Sequence, residues 1–175
     1  QSIFHGSTVA TNAVLELNGS RMGLLTTLGF RDILEIGRAY IPGIFTNYLR
    51  WQKPPRLVPL ELVREIPERL APDGSVVRPF DEVAARAQIA DLLAQGVESI
   101  AICLLHSYAN PAHEQRLEAL INDLAPEVFV SRSSAVLPEY REYERAITTV
   151  LNAYVMPVVA RYLSGLQARL RERGY

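Results

Sequence analysis

The sequence predicts an α/β fold built from a βαβ unit, a β-hairpin and a long C-terminal helix. Three observations carry this expectation. The apolar run 97–105 reads as a strand covered on both faces. Segments with helical spacing precede and follow it, and a second short apolar run at 128–130 closes the βαβ unit. From Glu139 to Arg173 the helical pattern continues longer than anywhere else. Hydrophobic residues make up 49% and charged residues 21% of the chain, a globular rather than a disordered balance. Its 175 residues suffice for one domain, with sublobes expected at 1–80 and 81–175.

Each element has a local reason. Ser7 or Thr8 opens the first helix as N-cap, with Val9, Ala10, Ala13, Val14 and Leu17 at helical spacing. Asn18-Gly19 ends it, because both tolerate a left-handed turn. Residues 22–27 form a buried strand, and Asp32 starts a short helix through Ile36. Between Arg38 and Pro59 the pattern dissolves. Pro42, Gly43, Pro54, Pro55 and Pro59 punctuate the stretch, and Tyr40, Phe45, Tyr48 and Trp51 are scattered among Arg38, Arg50 and Lys53. Such a loop either makes contacts of its own or packs its aromatics on its own domain.

Residues 62–70 and 76–80 flank the turn sequence Pro72-Asp73-Gly74-Ser75 and read as an exposed hairpin, with Pro67 suited to an edge. Asp81 caps a helix to Ala94 expected to bury Val83, Ala87, Ala90 and Leu93, and Gly96 stops it. Asn110-Pro111 starts a helix that turns Leu117, Leu120, Ile121 and Leu124 inward, with Glu114 as the reciprocal half of a capping box. Pro157 is expected to kink or break the last helix near Val155. Arg145, Arg161, Arg169, Arg171 and Arg173 read as its solvated cations.

The bulk chemistry excludes several classes. A net charge of -1, from 18 basic and 19 acidic residues, gives no basic face for nucleic acid or an anionic membrane. Cys103, the single cysteine, forbids an intrachain disulfide and reads as a buried structural thiol. No stretch reads as a membrane span or a signal peptide, so the cytoplasm is the expected compartment. The start, Gln1-Ser2-Ile3-Phe4-His5-Gly6, reads as a chain cut in mid-domain.

Three clusters carry candidate chemistry. His5-Gly6-Ser7-Thr8, with Asn12, sets hydroxyls and backbone N–H groups at a helix start, suited to a phosphate or carboxylate or simply to an ordinary cap. Glu139-Tyr140-Arg141-Glu142-Tyr143-Glu144-Arg145 packs three carboxylates and two guanidiniums into two turns, either a ligand site or surface ion pairing of the Glu142–Arg145 and Arg141–Glu144 kind. His106 and His113 follow the buried strand, but no ligand spacing accompanies them, so no metal is expected there. Walker, GxGxxG, GxSxG and HExxH motifs are missing.

The stretches HGSTVATNAVLELNG (5–19), LLTTLGFRDILEIGR (24–38), AICLLHSYANPAHEQRL (101–117) and LPEYREYERAITTVLNAYVMP (137–157) together resemble the N-terminal region of the hydantoinase A/oxoprolinase family, in the family's order. That family includes ATP-dependent N-methylhydantoinases, 5-oxoprolinases and the nucleotide-using subunits of acetone and acetophenone carboxylases. The resemblance implies part of an actin-like ATPase lobe of ribonuclease H-like fold. It implies hydrolysis of a cyclic amide, or carboxylation of a ketone, with the carbonyl activated by phosphoryl transfer from ATP with Mg²⁺. It also implies a hydantoinase B-type partner and an oligomeric full-length enzyme. His5, Gly6, Ser7, Thr8, Asn12, Arg38, Glu139 and Arg141 become the nucleotide- or substrate-binding candidates. The family's glycine- and threonine-rich phosphate loop would precede His5 and its next domain would follow Tyr175, so Mg²⁺-ATP is assigned to the full-length enzyme rather than to this fragment. A non-catalytic subunit-interaction module, resting on the aromatic loop and the Arg-rich last helix, is the competing expectation.

Overall fold

The computed structural model describes residues 5–38 and 54–174. In chain order the elements are α1 (Val9–Leu15), β1 (Met22–Thr27), α2 (Ile33–Ile36), a 3₁₀ turn (Leu60–Leu62), β2 (Val63–Ile66), β3 (Arg69–Leu70), β4 (Val76–Arg78) and α3 (Glu82–Ala94). Then come β5 (Ser99–Cys103), α4 (Ala112–Leu124), β6 (Phe129–Arg132), α5 (Ser133–Val136) and α6 (Glu142–Glu172). Strands β2, β1, β5 and β6 form one parallel sheet in that order, so the expected α/β class and the parallel β5–α4–β6 unit are present. The sheet draws strands from both sides of residue 80.

The two central strands are buried at every position, as continuous apolar runs require. Alternation sorts their side chains by size. On β5, Ser99, Ala101 and Cys103 face one way and Ile100 and Ile102 the other. The small face lets α6 approach closely, and α6 presents Ala146, Thr149, Val150 and Ala153 as its buried stripe. The opposite face takes α3 and α4, through Ala85, Ile89 and Leu92 and through Leu117, Leu120 and Ile121. Each sealed Leu or Ile contributes about 1.5–3 kcal/mol to this core.

Several expectations are corrected. The long hairpin arm is split: residues 63–66 join β1 in parallel, and only β3 and β4 form the antiparallel pair. Pro67 lacks the N–H that would extend the ladder, and its carbonyl accepts the Asp81 amide instead. On α3 the expected face is rotated. Val83 is 82% exposed and Ala87 and Ala90 are also exposed, because the sheet takes positions 85, 89 and 92. Asp81 does cap α3, its carboxylate accepting the Ala84 amide at 3.0 Å. Leu124 lies at the solvent edge, 42% exposed. At the end of α1 it is Leu17, not Asn18 or Gly19, that takes the left-handed backbone. Gly19 is needed for another reason, since a Cβ there would fall 2.3 Å from the buried Tyr154 ring. Residues Tyr40, Pro42, Gly43, Phe45, Tyr48, Arg50, Trp51 and Lys53 of the expected loop lie outside the described residues.

The last helix starts at Glu142 rather than Glu139 and runs unbroken through Pro157. By length and composition alone it would suffice to cross a membrane, yet its buried stripe packs on the sheet, as in the core helix of a folded domain. Pro157 removes the N–H that would bind the Ala153 carbonyl. Ser20 takes its place: its hydroxyl lies 3.2 Å from both the Ala153 and Tyr154 carbonyls, and its amide donates to Tyr154 at 3.0 Å. Ser99 Oγ, 2.9 Å away, completes the cluster. An internal proline is thus tolerated because the loop before β1 supplies the missing donor.

This substitution of donors is testable by urea denaturation. Ser20→Ala is expected to cost about 1–3 kcal/mol in the natural background, since it orphans a buried carbonyl. In a Pro157→Ala background, where residue 157 regains its amide, the same change is expected to cost less than about half as much. Equal costs in both backgrounds would contradict the account.

Candidate functional site

At the carboxyl ends of the parallel strands, where open α/β sheets hold ligands, the interior is polar. Thr27, the last residue of β1, accepts the Leu105 amide at 2.9 Å and donates its hydroxyl to Glu68. Glu68 is sealed from solvent, and its other oxygen meets His113 Nδ1 at 2.7 Å. Thr27 thus accepts from one side and donates to the other, and Glu68 Oε1 accepts its proton.

A second chain of contacts starts at Glu114, which is fully buried. Its carboxylate accepts the Leu104 amide at 2.9 Å, the Ser133 hydroxyl at 2.6 Å and the Ser134 amide at 2.7 Å. Arg145, 1% exposed, donates to Ser133 Oγ at 2.8 Å, to the Leu104 carbonyl at 2.9 Å and to Ser107 Oγ. Tyr108 lies under the guanidinium at 5.6 Å. A buried anion and a buried cation are thus bridged by one serine, with hydrogen bonds filling most of their remaining valences.

This arrangement corrects the sequence reading at three points. Glu114 is not half of a capping box, and the N-cap of α4 is Pro111 rather than Asn110, whose Oδ1 accepts the Ala112 amide at 3.1 Å from one residue earlier. Arg145 is an interior residue rather than a solvated cation, so it does not share an exposed face with Arg141. Neither expected ion pair of the 139–145 cluster forms as drawn: Glu144 pairs with Arg38, and the Arg145 guanidinium turns inward to Ser107, Ser133 and Leu104 instead of to Glu142.

Beside this network, α2 and the start of α6 enclose an open cleft of about 510 Å³. Ile36, Gly37 and Arg38 form one wall, and residues 141–144 form the other. Gly37 has φ 56 and ψ -129, a backbone open only to glycine, and Arg141 has φ 52. Arg38 and Arg141, two of the candidates, therefore face one space. Glu139, the third, is exposed and does not line it; its amide binds the Leu137 carbonyl at 2.8 Å. Desolvation pushes the Glu144 carboxyl up, yet the hydrogen bond to its own backbone amide, then the Arg38 guanidinium, hold it below the usual carboxylate range.

The other candidates lie elsewhere. His5, Gly6, Ser7, Thr8 and Asn12 are all exposed at the start of α1. His5 Nε2 contacts the Tyr162 hydroxyl and its ring stacks at 5.7 Å on Tyr162, in the distal half of α6. Ser7 Oγ accepts the Val9 amide at 3.2 Å, while Thr8 makes no side-chain cap. A Cβ at Gly6 would meet nothing within 4 Å, so no close approach there demands glycine. Glu144 and Tyr162 are separated by 18 residues of α6, roughly 27 Å at 1.5 Å per residue, so the two candidate groups do not share one small ligand. Ser7, Thr8 and Asn12 present two hydroxyls and a side-chain amide at this exposed end. No cluster of three or more His, Cys, Asp or Glu side chains suited to a metal exists among the described residues, and none is assigned to Mg²⁺.

Two further groups are set by burial. Cys103 is sealed under α6 with its thiol pushed up to about 12, chiefly by desolvation, as an inert structural cysteine should be. His106, at the carboxyl end of β5 with φ 57, is held below the ordinary histidine value, first by burial and then by Arg69 and Arg145.

Residues 1–125 match the family described as the hydantoinase/oxoprolinase N-terminal region. The chain belongs to this family. Among relatives, it is 40% identical over 170 residues to caprolactamase subunit alpha of Pseudomonas jessenii, covering 97% of this chain and 24% of that protein. It is 38% identical to 5-oxoprolinase 1 of Arabidopsis thaliana, covering 94% of this chain and 14% of the relative. The fold superposes on the crystal structure of the ATP-dependent caprolactamase from Pseudomonas jessenii with a TM-score of 0.89 at 40% identity, over 95% of this chain and 24% of the other. A nucleotide-free acetone carboxylase structure matches with a TM-score of 0.82 at 30% identity, over 95% and 25%. The chain therefore spans about a quarter, or less, of these family members.

Sequence reasoning missed Thr27, Glu68, Ser107, Glu114, Ser133 and Arg145. A signal was present for two of them. Glu114 shares the inward stripe of Leu117 and Ile121, and Arg145 that of Thr149 and Ala153, so each charge sits on a buried helical face.

The His106 environment predicts a pH dependence. Its folded-state value lies below the unfolded one, so the unfolded chain binds the proton first. The corresponding stability is complete above the ordinary histidine range and is lost as pH falls through it. His106→Asn keeps a residue tolerant of the left-handed backbone. In urea melts the variant is expected to lose less stability than the natural chain between about pH 7 and about pH 5. Equal losses would contradict the assignment.

Proposed function

We propose that this chain is the N-terminal region of an ATP-dependent enzyme that hydrolyses the C–N bond of a cyclic amide. The observation that carries this reading is the match to the caprolactamase, at 40% identity and a TM-score of 0.89. In this reading ATP supplies the phosphoryl group that activates the amide carbonyl toward water, with Mg²⁺ as its companion ion. The α2–α6 cleft, of a size suited to a small ligand, takes the substrate, with Arg38 and Arg141 as its cationic wall and Glu139 at its approach. The start of α1, from His5 to Asn12, contributes donors to the nucleotide. A hydantoinase B-type subunit completes the oligomeric enzyme, in the cytoplasm; that the caprolactamase relative is itself an alpha subunit supports the presence of a further subunit. A ketone carboxylase subunit is the second reading, favoured by the acetone carboxylase match at a TM-score of 0.82.

The test uses the full-length polypeptide carrying this region, with its partner subunit. ATP-dependent ring opening of caprolactam, 5-oxoproline or hydantoin is expected. His5→Ala and Thr8→Ala should each lower turnover about ten- to hundredfold without unfolding the protein, the loss of one hydrogen bond to a charged group. Phosphate release that responds to acetone and bicarbonate instead would overturn the hydrolase reading in favour of the carboxylase. No nucleotide turnover under either condition would leave the interaction module.

A further inference from the structure

Arg145 lies one helical turn from Arg141, and its amide donates to the Arg141 carbonyl at 3.2 Å, at the start of α6. We propose that Arg145 is a positioning residue: by tying the first turn of α6 to the carboxyl ends of β5 and β6, it fixes the wall of the α2–α6 cleft that carries Arg141, Glu142 and Glu144. This rests on the cleft being the substrate pocket.

The geometry of the tether supports the assignment. One guanidinium reaches the Leu104 carbonyl and Ser107 beyond β5, and Ser133 at the end of β6. These anchors are themselves held, since Glu114 binds the Leu104 amide, Ser133 and the Ser134 amide. The turn so anchored carries two features that need outside support. Arg141 adopts a positive φ that an arginine rarely takes unless its surroundings impose it. It also makes no side-chain cap for α6. Across the cleft, Arg38 pairs with Glu144 of the same turn, so displacing the turn moves both cationic walls together. Only a planar fork meets three acceptors on two strand ends. A lysine presents a single point of charge and reaches fewer of them. Arg145 Nε has no hydrogen-bond partner among the described residues, so the two terminal nitrogens carry the whole tether.

A residue of mere bulk stability would act on the fold everywhere; a positioning residue acts on one turn and on substrate binding. The experiment places Arg145→Lys in the full-length polypeptide, with Arg86→Lys on the outer side of α3 as a control. Amide hydrogen exchange is followed at residues 145–148 and at 100–102, beside steady-state kinetics with caprolactam and ATP. For Arg145→Lys, exchange at 145–148 is expected to speed by about tenfold or more while 100–102 stays unchanged. KM for the lactam should rise about tenfold with kcat changed less than about twofold. Arg86→Lys should alter neither. Exchange accelerated equally at both sites would overturn the proposal, as would unchanged exchange at 145–148, and so would local acceleration with KM unmoved. If the natural enzyme opens no lactam, the functional reading fails, and local exchange alone then decides whether Arg145 positions the turn. Should Arg145→Lys not fold, Ser107→Ala removes one acceptor of the same tether and is expected to shift exchange and KM in the same direction, by a smaller factor.

Discussion

The structure depends on how Glu114 and Arg145, one buried carboxylate and one buried guanidinium, are reconciled with an apolar core. Neither could be sealed alone, since an unpaired charge in the interior is costly. Ser133 lies between them at 2.6 Å and 2.8 Å, and the ends of β5 and β6 supply the remaining partners. The cost of burial is offset only if α4, α5, α6 and two strand ends all stand in one arrangement. The network therefore specifies a geometry as well as contributing to stability. It does so at the sheet edge where α2 and α6 frame a cleft.

A second device of the same kind lies beside it. Glu68, from the segment between β2 and β3, joins Thr27 at the end of β1 to His113 on α4. Together the two networks unite three of the four stretches on which the family resemblance rests. Much of what those motifs encode is thus the fixing of a sheet edge by buried polar groups. The fourth, at 5–19, belongs to a different place. It packs α1 on the distal part of α6, roughly 27 Å from the cleft along the helix. One long helix thereby connects the two groups of candidate residues.

The legible parts of the fold were those decided locally. The continuous apolar runs of β1 and β5, the Asp81 cap and the Gly96 stop of α3, and the β5–α4–β6 unit follow from neighbouring residues alone. The parts that were not legible were decided at long range. Residues 63–66 look like a hairpin arm until β1 offers a parallel partner 39 positions away in register, Leu24 with Val63. The α3 face was misplaced because an alanine-rich helix carries little amphipathic contrast, and only the sheet selects Ala85 over Ala87. Pro157 looked like a break because its compensating donor, Ser20, lies over a hundred residues upstream. At the site, Arg38 and Arg141 were legible as charges near helix ends. Arg145 was not, because a guanidinium is read as solvated until three oxygens are brought around it.

The measurement that tests this account most directly is a double-mutant cycle between Glu114→Gln and Arg145→Met, read by urea denaturation. If one network spans the two charges, the single changes cost more than the double change implies, with a coupling of about 1 kcal/mol or more. Additive effects would mean that the two charges are satisfied independently, and that the sheet edge is not held by a shared constraint.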